Sequence, residues 1–373
     1  MEKAANKETR KNTNSTKDTK AAGKTGKISV GILFGGQSAE HEVSLKSTEA
    51  LYNNLDKTKF TPRLIYISRD HGRWRVIDEK RFYQKDFLTK PHHDHSFLPW
   101  LDQGSEKIDA DIYFPMLHGP NGEDGKIQGL LELAGKPYVG ANSVASALAM
   151  DKVVAKILFQ KAGLNVVDYL FFENSDYTHI KEAIVRRFSY PVFIKPSFMG
   201  SSVGISKVKE ETQLKAGLDL AFRYDRKILV EKALPAREIE VSVMGNDEIM
   251  VSRPGELIPH REFYDYNDKY INGKTTFYMP AKLDPKVESE VRQVAAKAYK
   301  ALFLNGMSRV DLFIEKNTGK IYVNEINTIP GFTEISMFPK LWTLQGISFT
   351  ELITRLIDYG FDYHQKHKAA TDR

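Results

Sequence analysis

Asp311 and Glu325, with Arg309 and Asn327 beside them, are the residues whose types and spacing first suggest chemistry. They lie in residues 306–333, GMSRVDLFIEKNTGKIYVNEINTIPGFT. Two runs of strand character, 308–315 and 320–327, flank Asn317, Thr318 and Gly319 and read as a β-hairpin. With those three residues as the loop, Asp311 faces Glu325 and Arg309 faces Asn327. Strand alternation then turns all four side chains to one side. Two carboxylates directly opposite each other repel. A cation between them removes that penalty, and oxygens from Asp, Glu and Asn suit Mg²⁺. The alternative is a solvated polar face on a two-sided hairpin, and a four-residue loop would break the register.

A second chemical candidate is IKPSFMGSSVGISKV, residues 194–208. Lys195 ends an apolar strand, and Gly200, Ser201, Ser202, Val203 and Gly204 form a flexible polar loop before another short strand. Successive amides in such a loop make an anion-binding nest, and the lysine adds charge. The Walker A pattern is missing, and a plain Gly-Ser hairpin loop is the rival reading. Two strands follow in ILVEKALPAREIEVSVMG, with Glu231 and Lys232 ending one and Glu238 and Glu240 inside the other. Acids inside apolar strands need partners.

Four further polar residues stand at predicted sheet or helix edges. Glu40 and His41 begin the helix after KISVGILFGG, where open α/β sheets bind ligands, although the helix-start role is the default. His118 lies in LHGPNGEDGKIQG, where four glycines in thirteen residues mark a tight loop; there a satisfied loop histidine is the default. Lys152 lies in VASALAMDKVVAKILFQKAG, which the spacing of Met150, Val154, Ile157 and Lys161 predicts as one helix ending at Gly163. A surface lysine is the ordinary reading for it.

The positioning elements follow. KISVGILFGG, RLIYISR, WRVI and DIYFPML supply strands, and Val43, Ser47, Leu51 and Leu55 keep helical spacing between the first two. G-x-G-x-x-G is absent, so a dinucleotide site and a nicotinamide oxidoreductase are poorly supported. EFYDYNDKYINGKTTF has aromatics, acids and lysines without periodicity, and reads as an ordered lid loop or an edge packing. Val287, Val291, Val294, Ala298 and Leu302 form one helical stripe, and FTELITRLIDYG closes the chain as a helical region.

Composition bounds the rest. The chain has 373 residues, 41% of them apolar, and no cysteine. Length suggests two or three domains at about 100–200 residues each. Disulfides and thiol chemistry are excluded, no apolar run reaches the ~18 residues that span a bilayer, and no secretory h-region is evident. A cytoplasmic protein is expected. The net charge is +6, of which residues 1–27 carry +5 (eight Lys/Arg, three acids). A nucleic-acid role would therefore rest on that tail alone, which composition predicts to be disordered.

Taken in order, GGQSAEHEVS, LHGPNGEDG, MDK, IKPSFMGSSVGISKV, VEKALPAREIEV, FYDYNDKY, SRVDLF and VNEINTIPGFT resemble the D-alanine–D-alanine ligases of bacterial cell-wall synthesis over about residues 28–360. The resemblance implies an α/β (α+β) ATP-grasp fold in three domains: a Rossmann-like open-sheet domain over 28–145, a central domain over 146–232, and a C-terminal domain over 233–373 with a lid at about 262–276. It implies two D-alanines joined with ATP through a D-alanyl phosphate and a tetrahedral intermediate. Lys152 and Lys195 would meet the ATP phosphates, under the loop of Gly200, Ser201 and Ser202. Glu231, Lys232 and Leu234 would line the adenine pocket, and Glu238 would bind the ribose. Asp311, Glu325 and Asn327 would hold two Mg²⁺, or Mn²⁺. Arg309 and the Gly331 amide would stabilise the tetrahedral intermediate. Glu40 would bind the first ammonium group in a trio with Ser201 and Tyr270, and His118 would lie beside it. Ser336 would hold the second carboxylate, and Lys269 would reach the γ-phosphate on lid closure. The family also implies a homodimer without nucleic-acid or membrane partners. Ligases making D-alanyl-D-lactate carry Phe or a different loop at the position of Tyr270, so D-alanine is favoured as second substrate. That depsipeptide ligase, another ATP-grasp carboxylate–amine ligase, and a nucleotide-binding regulator without catalysis are the alternatives.

Overall fold

The computed structural model of the protein describes residues 26–89, 108–173, 176–258 and 276–371. The basic tail (apart from its last two residues) and nearly all of the lid segment, including Lys269 and Tyr270, lie outside them.

Three sheets carry the chain. The first has the order β3-β2-β1-β4, from β1 (Ile28–Gly35), β2 (Phe60–Ile67), β3 (Trp74–Ile77) and β4 (Ile112–Met116). Val30, Ile32, Leu33 and Phe34 of β1 are all buried, as a strand covered on both faces requires. Strand β1 pairs in parallel with β2 and β4, and α1 (His41–Asn54) makes the crossover. Gly35 turns the chain between them at φ +92°, where a Cβ would lie 2.5 Å from the Ile67 carbonyl oxygen; only glycine fits. Helix α2 (Glu79–Gln84) follows β3, and α3 (Lys126–Leu133) follows the glycine-rich loop after β4.

The predicted single helix over 144–163 is two: α4 (Ser143–Met150) and α5 (Lys152–Lys161). Asp151 separates them with an extended ψ of 99° and caps α5 by accepting from the Val153 and Val154 amides. The break also changes the buried face, which is Val153, Lys156 and Phe159 rather than the stripe through Val154 and Ile157.

The second sheet has the order β5-β8-β6-β7, from β5 (Tyr169–Phe172), β6 (Val192–Pro196), β7 (Ser206–Val208) and β8 (Ile228–Lys232), all antiparallel. Helices α6 (Tyr177–Arg187) and α7 (Leu214–Phe222) cover one face, burying Ile180, Ile184, Val192, Ile194, Leu218 and Val230. By alternation, Phe193, Lys195, Leu229 and Glu231 point to the other face.

The third sheet runs β12-β11-β9-β13-β14, with β10 also on β9. Its strands are β9 (Ala236–Gly245), β10 (Ile249–Val251), β11 (Gly255–Ile258), β12 (Thr276–Tyr278), β13 (Met307–Glu315) and β14 (Ile321–Asn327). Ile239, Val241, Val310, Leu312 and Val323 pack against α4, α5 and α8 (Pro285–Ala301), where Val291 and Ala298 of the predicted stripe are buried with Leu302 just beyond the helix end, Val287 and Val294 are partly buried, and Ala295, outside that stripe, is buried as well. Burial of each large aliphatic here contributes about 1.5–3 kcal/mol. Helices α9 (Met337–Thr343) and α10 (Phe349–Thr371) join this sheet to the first through a shared core of Met244, Met307, Phe332, Trp342, Leu352 and Leu356. The second and third sheets thus turn their uncovered faces, carrying Lys195 and Glu231 on one side and Glu238, Arg309 and Asp311 on the other, to a common cleft.

Candidate active site

The hairpin pairs Arg309 with Asn327 and Asp311 with Glu325, as the sequence predicts, but not for the reason given there. Its loop has four residues, 316–319, closed by Glu315 N–H to Lys320 O at 3.0 Å. Beyond it Leu312 pairs with Val323, and the register shifts by one residue between Leu312 and Asp311. The extra residue is Asn324, so β14 carries a bulge. Without it Glu325 would share the face of Ile321 and Val323 and enter the core. Loop and bulge compensate, and Glu325 faces the cleft.

The facing carboxylates are held apart in charge by side-chain cations. Arg309 grips Asp311 with two bonds of 2.7 and 2.6 Å and reaches Glu240 at 3.2 Å. Lys152 lies 3.3 Å from Glu325 and donates to the Met199 carbonyl at 2.7 Å. Asn327 donates to Asp311 at 3.0 Å. Burial works against the Arg309 charge, but Asp311 and Glu240 outweigh it and hold its pKa above the ordinary guanidinium value. The donor set is two carboxylates and one amide, all hard oxygens. Among the described residues no three His, Cys, Asp or Glu side chains gather as a self-sufficient cage. Hard oxygens of this kind suit Mg²⁺, which is held through one or two carboxylates and completes its shell with water and substrate phosphates.

Across the cleft Glu231 is 2% exposed and ion-paired at 2.5 Å to both Lys156 and Lys195. Burial pushes the Glu231 carboxyl up, yet the two lysines outweigh it and leave it at about 2. Burial dominates at Lys156 and lowers its pKa; burial also pushes that of Lys195 down, but Glu231, with Glu325, outweighs it and the pKa is raised. Lys156, 1% exposed, was missed from the sequence, although its three-residue spacing from Val153 and Phe159 marks it as inward-facing. Since Glu231 is ionised at lower pH in the folded chain than the usual 4.5, it stabilises the fold above pH 4.5 and stops doing so as pH falls towards 2. Glu231→Gln is expected to lower Tm at pH 7, by leaving buried lysine charge unpaired. It should also give a shallower fall of Tm between pH 4.5 and 2 than the parent. Equal slopes in a thermal melt series would contradict the pairing.

Lys152, Lys195, Ser202, Glu231, Lys232, Leu234, Glu238, Arg309, Asp311 and Glu325 line one cavity of about 790 Å³. Ser201 and Ser202 turn the loop at φ +51° and +60°, and Ser201 Oγ donates to Glu40. The Glu40 carboxylate nests between two glycines: a Cβ would meet it at 2.5 Å on Gly119 and 3.3 Å on Gly200. Glu40 and Gly200 line a second, smaller cavity of about 240 Å³ with Met199 and Asn121.

His118 is buried and fully engaged. Nδ1 donates to the Ile329 carbonyl at 2.9 Å, so Nε2 accepts from Ser47 Oγ at 2.9 Å. Burial lowers its pKa against the pull of Glu40, which keeps the ring neutral near pH 7. Ser336 Oγ accepts from the Thr333 amide at 3.0 Å and sits 3.0 Å from where a Gly331 Cβ would be. Sequence reasoning also missed Glu123, whose carboxyl is pushed up to about 8 by burial and by Glu40, against two backbone donors and Arg309. Asp151 was missed too. It accepts from Ser197 at 2.8 Å and from Lys227, anchoring the start of α5 that presents Lys152. Among the described residues no helix is long and apolar enough to cross a membrane.

Family models described as the D-ala D-ala ligase N-terminus and C-terminus match residues 29–141 and 158–358. A D-alanine–D-alanine ligase of Caldicellulosiruptor bescii is 44% identical over 356 residues, covering 92% of this chain and 98% of its own. The structure of the D-alanine–D-alanine ligase from Coxiella burnetii is similar with a TM-score of 0.82 at 37% identity, covering 93% of this chain and 97% of that one. The VanG D-Ala:D-Ser ligase from Enterococcus faecalis gives a TM-score of 0.81 at 36% identity, covering 90% of this chain and all of that one.

Proposed function

The chain belongs to the D-alanine–D-alanine ligase family, and from that premise we propose a role for each residue of the cleft. The enzyme has the ATP-grasp fold and joins two D-alanines in an ATP-dependent reaction of peptidoglycan synthesis. The observation that carries the residue-level reading is the single cleft that Lys152, Lys195, Arg309, Asp311 and Glu325 share.

ATP lies between the second and third sheets, with its adenine against Glu231, Lys232 and Leu234 and its ribose on Glu238. Lys152 and Lys195 meet the phosphates, and Gly200, Ser201 and Ser202 cover them. Asp311, Glu325 and Asn327 would hold two Mg²⁺, or Mn²⁺, which offset the charge building on the transferring phosphoryl oxygens. Glu40 binds the ammonium group of the first D-alanine, and neutral His118 orients the loop beside it. One carboxylate oxygen of that D-alanine attacks the γ-phosphorus in line as the bond to ADP breaks, giving a D-alanyl phosphate. The second D-alanine, its carboxylate on Ser336, attacks the carbonyl carbon as a free amine. Arg309 and the Gly331 amide hold the oxyanion, which collapses and expels phosphate. Acyl phosphates hydrolyse, so water must be kept out. Lys269 and Tyr270 would do so from the segment whose base is closed by the pairing of Ile258 with Thr276.

The same reading divides the chain at about residues 145 and 232, which gives each unit one sheet, and places the enzyme in the cytoplasm. It also makes the enzyme a homodimer. Leu133, Val144 and Phe303 are 92%, 63% and 70% exposed, and Ser143–Glu132 and Asn142–Phe303 bonds bring their neighbours together.

A second reading, D-serine as second substrate, is favoured by the likeness to a D-Ala:D-Ser ligase. The test is competition among D-alanine, D-serine and D-lactate, with products separated by mass. The parent should make mainly D-alanyl-D-alanine, and Tyr270→Phe should raise the depsipeptide share. An unchanged ratio would remove Tyr270 from substrate choice.

A further inference from the structure

Glu123 lies in the tight loop between β4 and α3, and each of its carboxylate oxygens accepts from a different backbone amide. Oε2 takes the Gly119 N–H at 2.8 Å and Oε1 takes the Ile329 N–H at 3.2 Å. The Ile329 carbonyl accepts from His118 Nδ1 at 2.9 Å, and the Thr328 hydroxyl donates to the Glu123 carbonyl at 3.4 Å. Both backbone polar groups of Ile329 are therefore tied to one loop of the first sheet, some two hundred residues earlier in the chain. Ile329 is followed by Pro330, whose ring fixes φ, and then by Gly331. The position of the Ile329 peptide is passed on to the Gly331 amide with little slack. Gly119, at the other end of the bridge, packs against the Glu40 carboxylate.

We propose that Glu123 is a positioning residue for the second half of the reaction, holding the Gly331 amide in register with the wall of the first-substrate pocket. This rests on the reading of Arg309 and Gly331 as oxyanion donors given above. The geometry requires a carboxyl group. Two N–H groups converge on the side chain, and both Glu oxygens carry lone pairs that can accept, protonated or not; Gln replaces one of them with an NH2 that faces a donor and cannot accept. An oxyanion donor displaced by about 1 Å costs on the order of a hundredfold in rate. The loss falls on the attack of the amine, because phosphoryl transfer to the first carboxylate does not use that amide.

The full-length enzyme with ATP, Mg²⁺ and D-alanine tests this by counting phosphate and dipeptide together. The parent releases one phosphate per dipeptide. For Glu123→Gln the expected result is a fall in kcat of about tenfold or more, a KM for ATP unchanged within about twofold, and more than one phosphate per dipeptide as the waiting acyl phosphate hydrolyses. Glu123→Asp, too short to reach both amides, moves the same way and serves if the first variant does not fold. A proportionate loss of phosphate and dipeptide, which a merely structural residue would give, overturns the proposal, as does near-normal turnover. Arg309→Lys separates the two levels. If it uncouples and Glu123→Gln does not, the positioning role fails and the oxyanion reading stands. If Arg309→Lys itself keeps a one-to-one yield, the underlying reading fails.

Discussion

Glu325→Ala is expected to cut dipeptide synthesis by about a thousandfold or more, a loss on the order of 4 kcal/mol in transition-state stabilisation, while the protein stays folded. Two functions sit on this one carboxylate. It is the cation ligand proposed to be shared between both Mg²⁺ ions, and it is the anion that Lys152 approaches at 3.3 Å. Alanine removes both. The fold should survive because the bulge at Asn324 turns Glu325 to the cleft, while Val323 and Ile326 on either side keep the core. Steady-state turnover over a Mg²⁺ titration, with a thermal melt alongside, reads the outcome. Near-normal turnover in excess Mg²⁺ would remove Glu325 from the cation site.

Arg309→Lys should lower kcat by about a hundredfold to a thousandfold with little change in the KM for ATP. Lysine keeps the charge but loses the planar fork. The two bonds to Asp311 and the approach to Glu240 fix where the guanidinium points, and a flexible ammonium group cannot satisfy both acids and still face a developing oxyanion. Because Asp311 is also a proposed cation ligand, some rise in the Mg²⁺ requirement is expected with it. Pre-steady-state kinetics, which separate phosphoryl transfer from amine attack, check the assignment. Equal slowing of both steps would place Arg309 on the phosphates instead.

Much of this site was legible in the sequence, though not always by the right route. Alternation along 308–315 identified Arg309 and Asp311 as neighbours on one face. The partner Glu325 was reached through a three-residue loop that the chain does not have; a four-residue loop and a bulge cancel. Periodicity cannot see a bulge, because one inserted residue looks like a break in the pattern. Lys195 and its Gly-Ser loop were found because a charge beside a flexible turn is a local signal. Lys156 and Glu123 are a different case. Lys156 was hidden by reading α4 and α5 as one helix, which put the wrong stripe inward; the signal for the break was the N-cap chemistry of Asp151. Glu123 takes its meaning from Ile329, a contact between segments far apart in sequence that local patterning does not contain. The identity of the reaction came from the order of motifs, not from spacing.

The central claim is that a D-alanine carboxylate becomes an acyl phosphate in the cleft between the second and third sheets. Its most direct test is isotopic. With D-alanine labelled by ¹⁸O in both carboxylate oxygens, the attacking oxygen ends in the released phosphate. The account predicts one ¹⁸O in each phosphate formed with dipeptide, read by mass spectrometry. Phosphate free of label, at normal dipeptide yield, would contradict it.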